Sequence, residues 1–415
     1  MRILFLTQVV PFPPDSGPKI KTYNVLRYLA ERHEVHLVSF ARSGAEETNA
    51  SALRGLVASV TTVPLRRSRL RDAAYLAQSL LVGRPFLVRR DDSRSMRRAI
   101  AGLLREGRFD AVHADQLTMA QFAVGLPIPL RVLDEHNAVW TIVKRAAERE
   151  RGLRRWLAEL EWRKLRTYEG GVCRQFGCTT VVSDEDRAAL REAGGAAFPS
   201  LTIPIAVDTE RLAFAPRGPE ARHVVSVATM FYPPNVEGVH WFADAVFPIV
   251  RRERPEVDFL VVGSRPPKQI TALASPGSGV VVMGYVEDLD SVLRRSAVMV
   301  VPLHSGSGMR VKILEAFARG IPVVSTTIGV EGINARPGEH LLVADEPAAF
   351  ARAVARLLAD RAEAARLADN ARRLVEATYD WRTALAPLDR LYPVEAAVSH
   401  EQVPEPSVPA PAAYR

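Results

Sequence analysis

Short apolar runs alternate with longer stretches of helical period along almost the whole chain. The runs fall at residues 2–7, 34–40, 110–114, 131–134 and 178–183, and again at 223–228, 258–263, 280–283, 298–303, 321–325 and 341–344. Apolar periodicity between them predicts helices at 19–32, 145–170, 236–252, 289–295, 309–319, 347–358 and 361–378. In the 145–170 segment, as one helix or two, Trp156, Leu160 and Leu165 are the expected inner stripe. Strand and helix in strict alternation can bury all their apolar faces only as parallel sheets covered by helices. The expected fold class is therefore α/β, with two units of similar βα rhythm in tandem.

The 415 residues suit two domains of ordinary size. The first is expected at 1–205, followed by a polar linker at 206–222 and a second domain at 223–378. Tyr379-Asp380-Trp381 opens a last helical segment over 379–392. Residues 393–415, rich in Pro, Ala, Glu and Val, read as a disordered tail.

Several classes of protein are disfavoured. No run approaches the ~20 apolar residues of a membrane helix, so a cytoplasmic location is expected. The apolar start runs into Pro11, Pro13 and Pro14 and reads as a buried first strand rather than a signal peptide. Two cysteines, Cys173 and Cys178, support neither a disulfide framework nor a zinc site. The net charge of +8 comes almost wholly from arginine, with six lysines in the chain. It favours anionic partners: nucleotide sugars, lipid phosphates or an anionic membrane face. Nucleic acid is not expected, because no basic module with interleaved aromatics is present. Residues 65–98 interleave ten arginines with Leu70, Tyr75, Leu76, Leu80, Leu81, Phe86 and Leu87. Such a segment suits either peripheral membrane contact or a solvated face over a buried stripe.

The most specific stretch is 305–332. Gly306 and Gly308 loosen a loop after an apolar strand, and the loop, through Ser307 and Met309, feeds a helix bearing Arg310, Lys312 and Glu315. Backbone N–H groups at a helix start bind phosphate, aided by the helix dipole. Arg310 and Lys312 add charge, and Glu315 is an acceptor for ribose hydroxyls. Together they describe a nucleoside-diphosphate site. The plainer alternatives are a simple strand-to-helix turn, solvated charges, and a Lys312–Glu315 ion pair. In the first half, Asp134-Glu135-His136-Asn137 follows a strand end, where doubly wound sheets place ligands. There Asp134 is expected to orient His136 or to cap the next helix. Asp288-Leu289-Asp290 has the spacing of a metal pair, but capping is its expected job.

Glu315, Ala316, Ala318, Gly320, Pro322, Val323 and Val324 resemble the second half of the nucleotide-sugar motif of retaining, family-4 GT-B glycosyltransferases, with Ser307 where that motif has its first Glu. His33-Glu34-Val35, the 203–212 segment, and Gly284, Val286 and Asp288 carry the same resemblance. Met230, Tyr232, Pro234, Asn235, Trp241-Phe242 and the 308–315 stretch are similar to bacterial sugar transferases of exopolysaccharide clusters. The resemblance implies the GT-B fold, two Rossmann-like domains facing across a cleft, an acceptor domain first and a donor domain second. It implies transfer of a hexosyl group from a UDP- or GDP-sugar to a glycan, lipid-linked or small-molecule acceptor, with retention. Neither cofactor nor metal is expected. His136, Arg310 and Lys312 take the catalytic roles, and Gly17, Gly306, Ser307, Gly308, Met309 and Glu315 bind the donor. Lys19, Asp134 and Asn137 line the acceptor side. The Arg and Lys that the family carries after the first strand of its second domain are replaced by Thr229, Met230 and Asn235. Two other readings remain open: a nucleotide-sugar epimerase of related fold, and a degenerate nucleotide-sugar binding protein.

Overall fold

The computed structural model describes residues 1–195, 197–306 and 308–394. The chain divides into two compact units. Among the described residues, one comprises 1–14, 18–204 and 385–394; the other comprises 15–17 and 205–384.

The first unit is built on β1 (Arg2–Thr7), β2 (Glu34–Ala41), β3 (Ser59–Pro64), β4 (Ala111–Asp115), β5 (Leu130–Asp134), β6 (Cys178–Val181) and β7 (Ser200–Thr202). They form one sheet in the order β3-β2-β1-β4-β5-β6-β7, and every ladder is parallel. The second unit holds β8 (His223–Val227), β9 (Phe259–Val262), β10 (Val280–Gly284), β11 (Ser296–Val301), β12 (Val323–Ser325) and β13 (Leu342–Val343). Their order is β10-β9-β8-β11-β12-β13, again all parallel. In each unit the order runs outward from the first strand and then reverses, which is the doubly wound pattern.

All the expected apolar runs form strands. β3 and β7 are additional. β3, Ser-Val-Thr-Thr-Val-Pro, is a half-buried edge strand whose threonines hide it from an apolar count. The central strands are buried on both faces, as Ile3, Leu4, Phe5 and Leu6 in β1 show. Phe242, Phe259 and Phe350 anchor the second core, with ring centroids of Phe242 at 4.6 Å from Phe259 and 5.7 Å from Phe350.

The helices depart from expectation in three places. The 145–170 segment takes the two-helix form of the expectation, but the first helix starts earlier: Val139–Ala147 and Gly152–Cys173. Trp156 is not in the inner stripe: it is 55% exposed, and the buried positions are Leu165, Glu169, Gly170, Val172 and Cys173. The 236–252 helix begins earlier, at Pro233, and is broken by a wide turn at Phe242–Val246 before Phe247–Glu253. Pro248 has no N–H to give to residue 244, so the ladder cannot close there in α geometry. Near the end of the chain, Trp381–Leu385 is a short helix followed by a tighter turn at Ala386–Arg390. Tyr392 Oη then lies 2.9 Å from His113 Nδ1, and Tyr28 Oη donates to Asp389 at 3.0 Å, both within the first unit. The 206–222 stretch is tied into the second unit: Thr209 Oγ1 donates to Asp380 at 2.7 Å, and Arg217 donates to the carbonyls of Leu293 and Arg319. Of the expected tail, 395–415 lies outside the described residues.

Candidate functional site

In the first unit the strand order reverses between β1 and β4, so the crevice at the carboxyl ends of the strands opens there. The register sets Thr7 beside Asp115, Asp115 beside Asp134, and Asp134 beside Thr180. Residues in register on parallel neighbours project to the same face. Four buried polar side chains therefore form one row across four strands. Lys21, on the Gly17–Ala30 helix, reaches into this row and pairs with Asp134, with the two side chains only 2% and 3% exposed. Thr180 Oγ1 donates to Asp134 at 2.6 Å, and His113 Nε2 lies 3.5 Å from it. Burial alone pushes the Asp134 carboxyl up, but the Lys21 ammonium and His113 outweigh it and hold the group well below the usual carboxylate range.

Asp115 accepts from Thr7 Oγ1 at 2.8 Å and from Thr22 Oγ1 at 3.0 Å, and it holds His136 Nε2 at 2.8 Å. The other ring nitrogen of His136 carries no hydrogen bond among the described residues. A carboxylate on Nε2 fixes the ring and leaves Nδ1 to meet a ligand. His113, Asp115 and Asp134 offer ligand atoms within 4.8 Å of one another. The Lys21 ammonium already balances the charge at Asp134, so this cluster fits a metal ion poorly.

Behind the row lie two buried carboxyls. Glu169 accepts from the backbone N–H groups of Val139 at 2.7 Å and Trp140 at 2.9 Å, capping the Val139–Ala147 helix. Burial nonetheless pushes it up to about 8. Glu135 has neither carboxyl oxygen hydrogen-bonded. Burial and then Glu169 raise it well above its ordinary value.

In the second unit the reversal lies between β8 and β11. β11 runs out at Val301 into the loop that feeds the Val311–Ala318 helix. Gly306 sits at φ +103°, so its backbone calls for glycine, and a Cβ there would also crowd Tyr232 Oη at 3.1 Å and Arg310 Nη2 at 3.2 Å. Ser305 Oγ ties the loop to Glu237 at 3.2 Å. Arg310, buried at the N-cap position, donates to the Gly308 carbonyl. On the helix, Ile313, Leu314, Ala316 and Phe317 are buried, which leaves Lys312 and Glu315 on the opposite face. Lys312 Nζ donates to Asn235 Oδ1 at 3.0 Å, and Asn235 Nδ2 donates to the Thr229 carbonyl at 2.9 Å. Burial, and then the Arg310 guanidinium, push the Lys312 ammonium down to about 7.

Residues 221–360 match the family model described as "Glycosyl transferases group 1", and residues 17–211 match the one described as "Glycosyltransferase Family 4". The chain belongs to the GT-B glycosyltransferases. This glycosyltransferase is 26% identical over 165 residues to an uncharacterized 44.6 kDa protein in the cps region of Klebsiella pneumoniae, a match spanning 38% of this chain and 42% of that protein. It is 28% identical over 334 residues, 74% of each chain, to a glycogen synthase of Mycobacterium tuberculosis. Anabaena HepE, solved in complex with UDP and glucose, superposes with a TM-score of 0.68 at 16% identity over 94% of this chain and 99% of that one.

Within the glycosyltransferase, the first unit groups His136 and Asp134 in one polar cluster with Lys21 and Asp115. Asp134 neither orients His136 nor caps a helix: Asp115 does the first and Glu169 the second. Lys19 is partly exposed on the first turn of its helix, and the lysine that meets Asp134 is Lys21, two residues on. Gly17 opens that helix, and Asn137 is partly exposed beside His136. In the second unit Gly306, Gly308, Arg310, Lys312 and Glu315 share one loop and helix. The Met309 side chain is buried. Ser307 lies outside the described residues. Asp288 caps the Leu289–Arg294 helix through Ser291 N at 3.0 Å, and Asp290 pairs with Arg319 at 3.0 Å. Cys173 and Cys178 are free, and burial raises both thiols. Sequence reasoning missed Lys21, Asp115 and His113. The available signal was His113 inside an otherwise apolar strand, with Asp115 at its end.

No helix among the described residues is long and apolar enough to cross a membrane. The Arg69–Val82 helix exposes Leu70 and Leu81 at 86% each. It is tied to the Gly152–Cys173 helix by Lys164 Nζ, which donates to Ser79 Oγ at 2.5 Å. Leu153 and Trp156 on the second helix are also exposed. Arg66, Arg69, Arg71, Arg84, Arg154 and Arg155 are exposed on the same two segments.

Proposed function

We propose that the protein transfers a hexosyl group from a UDP- or GDP-linked sugar to a glycan, lipid-linked or small-molecule acceptor, with retention and without a metal ion. One observation carries the reading. Arg310 and Lys312 stand at a helix start behind a loop whose Gly306 and Gly308 both have positive φ. Such a loop exposes N–H groups to a diphosphate, and the two cations stabilise the charge that builds on it as the sugar leaves. Glu315 accepts the ribose hydroxyls. A diphosphate favours the charged form of Lys312, so the lysine's charge is reinforced where the leaving group needs it. His136, fixed by Asp115, is assigned to the hydroxyls of the transferred sugar. The acceptor oxygen bonds to the anomeric carbon on the face from which the diphosphate departs. The acceptor proton passes to the departing phosphate oxygen, and no enzyme nucleophile is used. HepE, solved with UDP and glucose, supports a nucleotide-sugar donor. The exposed Leu70, Leu81 and Trp156 among arginines favour an acceptor presented at an anionic lipid surface.

The test is nucleoside-diphosphate release from a panel of UDP- and GDP-sugars with chelator present. Release from one donor, lost in Lys312→Met, is expected. A nucleotide that binds while none of its sugars is turned over contradicts transfer and leaves a binding role.

A further inference from the structure

A second cavity lies in the second unit, at the amino ends of the strands. Arg222, just before β8, Val257, just before β9, and Ala297, in β11, line it, whereas the 302–310 loop follows the carboxyl end of β11. The cavity holds about 250 Å³. Its wall is apolar: the Phe214 ring, Val257, Leu357 and Leu358. The Phe214 ring lies over Gly320, where a Cβ would stand 2.5 Å from it. Four arginines also line it: Arg217, whose guanidinium donates to the carbonyls of Ala215 and Leu293, and three others, Arg222, Arg254 and Arg361. Among the described residues none of the three forms an ion pair, and the side chains have a single long contact, from Arg361 to the Pro219 carbonyl at 3.5 Å. Glu256 and Asp369 lie at the same cavity, both exposed and unpaired with these arginines.

Arginines left without anions around an apolar hollow are arranged for a ligand that brings its own anion. The planar fork of a guanidinium matches phosphate oxygens in pairs. The volume lies just below that of common ligand pockets, about 300–1,000 Å³, so it suits one ring with one phosphate and not a whole nucleotide sugar. We propose that this cavity is a second binding site, for a compact phosphomonoester whose phosphate is held by Arg222, Arg254 and Arg361 and whose body lies on the Phe214–Leu357 wall.

Phenyl phosphate is the probe, titrated by calorimetry into the whole protein with and without saturating UDP. One saturable site is expected, unaffected by UDP, with affinity about tenfold above that of inorganic phosphate because of the apolar wall. The Arg254→Gln/Arg361→Gln double variant should bind about tenfold or more weakly. Arg361 is exposed and Arg254 half-buried, and neither forms an ion pair, so the unliganded melting temperature should match the wild type and show that it folds. Absence of saturation up to ~10 mM, equal affinity for inorganic phosphate, unchanged binding in the double variant, or displacement by UDP each overturns the proposal.

Discussion

Lys312 Nζ donates to Asn235 Oδ1 at 3.0 Å, joining the start of the Val311–Ala318 helix to the Pro233–Trp241 helix. An amide oxygen stabilises an ammonium less than a carboxylate does, and burial with Arg310 close by pushes Lys312 down to about 7. At a pH of about 8 most of the lysine is therefore neutral in the unliganded protein. A diphosphate favours the charged form, so binding of UDP should take up as much as one proton. Calorimetry in buffers of different ionisation enthalpy measures this directly. The uptake should vanish in Lys312→Met, and a binding enthalpy independent of buffer in the wild type contradicts the assignment.

Asp115 fixes His136 at 2.8 Å while accepting from Thr7 and Thr22. Asp115→Ala removes both carboxylate oxygens, so the ring loses its tether. Misplacing a contact group by about 1 Å costs roughly a hundredfold in rate. The variant should lose kcat on that scale with little change in UDP affinity. Unchanged kcat removes His136 from the reaction.

Glu169 ionises at about 8 in the folded chain against an ordinary 4.5. Between those values the folded protein holds a proton that the unfolded chain gives up. Its contribution to stability is full below about 4.5 and is lost as pH rises through about 8. Glu169→Gln should remove up to about 1.4 kcal/mol per pH unit of this slope within the window. Urea unfolding from pH 5 to pH 8 compares the two. Identical slopes mean that the carboxyl is not held protonated.

The Arg69–Val82 helix exposes Leu70, Leu81 and Val82, and Trp156 is exposed on the neighbouring helix. Vesicles containing anionic lipid should bind the protein, each arginine near the surface adding about 1 kcal/mol. High salt should weaken the binding. Leu81→Ser with Trp156→Ser should reduce it further without changing nucleotide affinity. Sedimentation of vesicles free of protein shows that the face is simply solvated.

Strand-by-strand apolar content was enough to read the parallel sheets, because parallel strands buried on both faces look the same in any context. The Gly306–Glu315 loop and helix were equally legible, since the residues that make them are contiguous. The Thr7–Asp115–Asp134–Thr180 row was not. Its members lie on four strands and meet only through register, which a single strand does not display. Lys21 was passed over for Lys19 because helical phase decides which of two neighbouring lysines turns inward. Trp156 was placed in one inner stripe with Leu160 and Leu165, yet at 3.6 residues per turn it falls on the opposite side of the helix from the buried Leu165.

The central claim is that the loop and helix in the second unit hold a nucleoside diphosphate. Thermal unfolding with UDP, GDP or dTDP, in chelator, for the wild type and Glu315→Ala, tests it most directly. At ~100 times its dissociation constant a ligand adds roughly 2.7 kcal/mol. The account predicts a shift of that scale with one nucleotide, lost in the variant. No shift with any of the three, or a shift that Glu315→Ala retains in full, contradicts it.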